Sequence, residues 1–151
     1  ISDADTNALE YAIIDGQVER LRELVARLDP GELSSLEVYG SATLLMHACE
    51  RGTPEMVEIL ISRGLQAHEL PWSDNNELKA AVRNRRFGPQ ILPLVLSILP
   101  KDLAIDMITT DWNPDDQAAV PLKSALELAK AQKDGACLGV LERALQQLQS
   151  S

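Results

Sequence analysis

A chain of 151 residues with 14 Lys and Arg against 23 Asp and Glu carries a net charge of −9, which repels phosphate and argues against nucleic-acid binding through the overall field. Hydrophobic residues make up 45% and charged residues 25%, so the chain is neither disordered nor collagen-like. Aromatics reach only 3%, beside 24 leucines and 17 alanines, a palette that packs helices closely and leaves little for a large aromatic-lined pocket; one all-α domain over residues 1–151 is expected.

The opening Ile1-Ser2-Asp3-Ala4-Asp5 has neither Met nor a basic region followed by an apolar core, so it is not a signal peptide and reads as the start of a piece excised from a longer protein. An apolar run such as residues 91–99, interrupted by Pro93 and Ser97, falls well short of the roughly 18 to 20 residues that cross a bilayer. Cys49 and Cys137 are too few for a disulfide framework. They leave a single bridge or two free thiols, the latter suiting the cytoplasm or another reducing compartment.

Along the chain, Asn7, Leu9, Ala12, Gly16, Glu19, Leu21, Leu24 and Val25 set out a first helix pair over about residues 5–36. A second, over 41–70, runs through Thr43-Leu44-Leu45-Met46-His47-Ala48-Cys49-Glu50-Arg51-Gly52 and then Glu55-Met56-Val57, Ile59-Leu60-Ile61 and Gly64. A third, over 74–100, opens with Leu78, Ala81 and Val82. Its turn, Arg83-Asn84-Arg85-Arg86-Phe87-Gly88, holds two extra residues before Pro89-Gln90-Ile91-Leu92. Residues 101–119 interrupt the pattern. An extra short helix is expected over 101–108, with Leu103, Met107 and Ile108 on one face and Pro100 where a helix can start. A loop carrying Trp112, Asn113-Pro114 and the aspartates of 111–116 follows it. A fourth pair, over 120–149, begins with Pro121-Leu122 and Ser124-Ala125-Leu126-Glu127-Leu128-Ala129 and returns through Leu138, Val140 and Leu141 as a terminal cap.

These segments are copies of one another: residues 54–62 align with 89–97, and the equivalent leucines are Leu9, Leu45, Leu78 and Leu126. The stretch from Thr43 to Gly64 resembles an ankyrin repeat, reproducing T-P-L-H-x-A nearly in register with Leu44, Met46 and Cys49 at the usual proline, histidine and second alanine. The resemblance implies a short ankyrin-type α-solenoid of about four helix-pair repeats with a helix inserted before the last. Leu9, Ala12, Leu45, Ala48, Leu78, Ala81, Leu126 and Ala129 would stack into its core. It also implies a non-catalytic module that binds a protein partner on a concave face of finger tips and inner helices.

The family's contact positions, carried over, are Tyr39, Glu50 and Arg51 in the second repeat and Trp72, Ser73, Asn75, Arg83 and Asn84 in the third. Asp3, Thr6, Ile14 and Asp15 match them in the first, and Val120, Ala131 and Gln132 in the fourth. Tyr39 and Trp72 lie six residues before Leu45 and Leu78, at the implied finger tips, where they either contact a partner or pack on a neighbouring finger. Arg83, Arg85 and Arg86 beside Phe87 form a dense basic cluster that is either a solvated turn or a grip for an acidic segment of the partner. Trp112 reads as a plug for the insertion.

No Gly-x-Gly-x-x-Gly, Walker A, His-Glu-x-x-His or Gly-x-Ser-x-Gly motif occurs, so no catalytic residue, cofactor or enzyme activity is expected of this domain, and His47, Cys49 and His68 lack the spacing of a zinc site. The alternative is the substrate-docking part of a larger enzyme. In that setting the chain is weakly similar to the C-terminal ankyrin domains of bacterial secreted effectors such as arginine ADP-riboxanases, which dock host caspases in the host cytosol. On either reading the domain alone is a monomer that binds protein and neither nucleic acid nor membrane.

Overall fold

The computed structural model describes residues 1–38, 42–67, 69–70, 75–110 and 124–150, with residues 69, 70 and 75 described by their backbone. Among them the chain is mostly helical. Each first helix of a pair starts where a short polar side chain takes up a free backbone N–H. Ser2 accepts from Asp5 at the head of α1 (Asp3–Ile14), and Thr43 accepts from Met46 at the head of α4 (Leu44–Arg51). Asn76 does the same for α6 (Glu77–Arg83), through the Lys79 amide, and Ser124 for α9 (Ala125–Ala131), through the Glu127 amide.

The second helices are α2 (Val18–Arg27), α5 (Pro54–Ser62), α7 (Gly88–Leu96) and α10 (Gly135–Ser150). In α5 the first position is Pro54, whose missing N–H is no loss there, and Thr53 caps the Met56 amide. In α2, Leu21, Leu24 and Val25 recur at helical spacing and are buried. Two antiparallel hairpins precede α4 and α6. They pair β1 (Glu37–Val38) with β2 (Ala42–Thr43), and β3 (Glu69–Leu70) with β4 (Asn75–Asn76).

The helices form two rows. α1 packs on α4, α4 on α6 and α6 on α9, while α2 packs on α5, α5 on α7 and α7 on α10. Leu9, Ala12, Leu45, Ala48, Leu78, Ala81 and Ala129 are all buried between them. Leu126 is only half-buried, packed at the margin of the core. α8 (Lys101–Thr109) follows Pro100 and lies against α9 and α10; it buries Ala104, Met107 and Ile108 and leaves Leu103 half-buried. One short helix has no counterpart among the expected elements: α3 (Pro30–Ser35), started by Asp29, whose carboxylate accepts from the Glu32 amide.

Two side chains tie successive pairs together. Arg63 ends α5 and donates Nε and Nη2 to the carbonyls of Val25 and Leu28 at the C-terminus of α2, both at 3.0 Å. Asn84 does the equivalent between the second and third pairs, donating Nδ2 to the carbonyls of Cys49 and Gly52, again at 3.0 Å. Gly52 sits where a Cβ would come within 2.7 Å of the Ala48 carbonyl oxygen, so only glycine lets the chain leave α4 at this angle. No helix among the described residues is long and apolar enough to cross a membrane.

Candidate functional site

The turns joining the two helices of each pair fall along one edge. A cleft of about 150 Å³ is lined by Ile13, Ile14, Asp15 and Gly16 of the first turn, Arg51, Gly52 and Thr53 of the second, and Asn84, Arg86 and Phe87 of the third. The third turn meets the fourth at a second cleft of about 280 Å³, where Arg85 faces Gln132, Lys133, Asp134 and Gly135. Cations outnumber carboxylates along this edge: Arg51, Arg83, Arg85, Arg86 and Lys133 stand against Asp15, Glu50 and Asp134. Arg51 and Arg83 close α4 and α6, where a cation also suits the negative end of the helix.

Asn84 builds the longer third turn. Its Oδ1 accepts from the amides of Arg86 (3.2 Å) and Phe87 (3.0 Å) while its Nδ2 holds the second turn, so one side chain joins the second-turn and third-turn sides of the first cleft. The Arg86 guanidinium lies over the Phe87 ring, 5.2 Å from its centroid, which restrains it through the ring face. Arg51 faces Glu50 at 3.6 Å in a loose pair whose arginine side chain is 59% exposed, a geometry that contributes little to stability.

The expected site residues divide accordingly. Arg51, Arg85 and Arg86 are exposed and Glu50 and Arg83 half-buried, all on or beside this edge. Asn84, expected to contact a partner, is 5% exposed and lines the first cleft, with both ends of its amide engaged inside the chain. The backbone of Asn75 pairs with Leu70 in the second hairpin. Tyr39, Trp72, Ser73, Val120, His68 and the Trp112 loop lie outside the described residues. Ile14, among the first repeat's expected contact positions, is 54% exposed and lines the first cleft, and beside the expected set Tyr11, 62% exposed, sits one turn before it on α1. The signal for Tyr11 was its place between the buried Leu9 and Ala12, on the side of the helix that the core pattern leaves free.

Neither buried thiol is an activated nucleophile. Burial pushes the Cys49 thiol well above its ordinary range, helped by the Glu77 charge. Burial, and then the Asp134 side chain, push Cys137 up to about 12. Both sulfurs therefore stay protonated at neutral pH. His47 is driven the other way by burial, against the opposing pull of Glu10; its Nε2 has no hydrogen-bond partner among the described residues. Among the described residues, no three His, Cys, Asp or Glu side chains gather to hold a metal ion.

No protein-family model, curated protein or solved structure matches the chain.

Proposed function

We propose that this chain is an ankyrin-type helical repeat domain that acts as a non-catalytic protein-binding module, taking an acidic segment of its partner along the edge of inter-helix turns. The repeat reading is supported by the serial packing of α1, α4, α6 and α9 and of α2, α5, α7 and α10, and by the hairpins ahead of α4 and α6. The observation that carries the binding reading is the row of arginines on that edge in a chain of net charge −9. A local positive strip on an acidic body steers an acidic partner to one face and repels it elsewhere. Tyr39 and Trp72 extend the contact set on the strength of the family register.

The test uses affinity capture with the wild-type domain and with an Arg85→Glu/Arg86→Glu variant of unchanged circular dichroism, followed by calorimetry on the captured protein. The variant is expected to bind at least ~30-fold more weakly, and wild-type affinity to fall as salt rises. Equal binding by the two proteins, insensitive to salt, overturns the reading.

A further inference from the structure

The first cleft is too small for a metabolite and well shaped for a side chain. Small-molecule pockets run from about 300 Å³ upward. This one holds about 150 Å³ and opens beside exposed Ile14. Its walls combine two guanidiniums, Arg51 and Arg86, with the apolar surfaces of Ile13, Ile14 and Phe87. Stacking on Phe87 uses the face of the Arg86 guanidinium and none of its N–H donors. Among the described residues Arg51 is held by the loose Glu50 pair, and its largely exposed guanidinium is open to exchange.

We propose that this cleft binds a single acidic side chain of a partner protein, its carboxylate held by Arg51 and Arg86 and its methylenes against Phe87 and Ile14. The proposal rests on the protein-binding reading above and names the chemistry recognised at that site. A carboxylate fits because its two oxygens match the planar fork of a guanidinium, and the apolar walls favour a group that carries carbon next to its charge. Asp15 lines the α1 side of the cleft and repels an anion that enters out of register, so position as well as charge is selected. The site is preformed, since the Asn84 bonds that join the second and third turns are made without ligand.

The probe is a blocked tripeptide, acetyl-Ala-Glu-Ala-amide, titrated at constant ionic strength into the isotope-labelled protein while nuclear magnetic resonance follows the backbone amides and arginine Nε–H groups. The expected result is millimolar binding that shifts the Arg51 and Arg86 side-chain signals and the amides of Gly16, Gly52 and Phe87. The Gln tripeptide should bind at least fivefold more weakly. Arg86→Gln should lower the response at least tenfold, Arg86→Lys should recover part of it, and Arg27→Gln, exposed in the last turn of α2 and lining neither cleft, should leave it intact. Equal response to Gln, equal loss in Arg27→Gln, or inorganic phosphate moving the same signals at lower concentration overturns the proposal. The readout needs no partner, so it is decided separately from the capture experiment.

Discussion

Replacing Asn84 with alanine should be among the most damaging polar substitutions in the chain. The side chain is buried and makes four hydrogen bonds of 3.0 to 3.2 Å: two donated to the Cys49 and Gly52 carbonyls and two accepted from Arg86 and Phe87. At a net ~1 kcal/mol each these come to about 4 kcal/mol; the Arg86 amide can recover water at the surface, which leaves an expected loss of about 3 kcal/mol. Asn84→Asp separates the donors from the acceptors. It keeps the two accepted bonds but sets a carboxylate oxygen against two carbonyl oxygens, so it should lose at least as much as alanine. Urea unfolding followed by far-ultraviolet circular dichroism, with the denaturant slope unchanged, reads both losses. A cost below ~1 kcal/mol for alanine, or an aspartate variant close to wild type, would mean that the two turns are not held together by this amide.

Gly88→Ala should lower stability by about 1 to 3 kcal/mol, because the added Cβ comes within 2.6 Å of the Ala81 carbonyl oxygen and 2.9 Å of the Cys137 sulfur and the backbone atom cannot move aside alone. A melting temperature equal to wild type would refute the close approach of α6, α7 and α10 there. His47 makes stability fall in mild acid. Its folded pKa is lowered, so below about pH 6.5 the unfolded chain takes up a proton that the folded chain refuses, and the loss grows as pH falls toward the folded value. Above about pH 6.5 both forms are neutral and the effect vanishes. A His47→Gln variant should lose less stability than wild type between about pH 7.5 and pH 5.5, and parallel pH profiles would exclude His47 as the source.

The elements that were legible from sequence are those set by local rules. Ser2, Thr43, Asn76 and Ser124 start their helices through their own backbone neighbourhood, and the leucine and alanine spacing gives the buried faces directly. Helix α3 was legible in principle, since Asp29-Pro30 is a cap followed by a first-turn proline, but it falls inside the first helix pair as read from sequence, over about 5–36. Asn84 shows where such reading stops. Its position marks it as a turn residue, yet its donors go to carbonyls 35 and 32 residues earlier, a pairing that exists only once two helix pairs have stacked. The arginines of that turn were legible as a cluster. Their arrangement around a cleft shared with Ile14 and Arg51 depends on the same stacking.

The two thiols sit in different helix pairs: Cys49 in α4, packed between α1 and α6, and Cys137 in α10, packed on α7. An array joined through adjacent members can open pair by pair as well as all at once. Both sulfurs are shielded and protonated while the helices are closed, so a thiol reagent meets each one only when its own stretch of chain opens. The protein thus carries two internal timers. Cys137 records opening of the α9–α10 pair and Cys49 records opening of the α4–α5 pair, and the ratio of their labelling rates measures how far these pairs unfold as one.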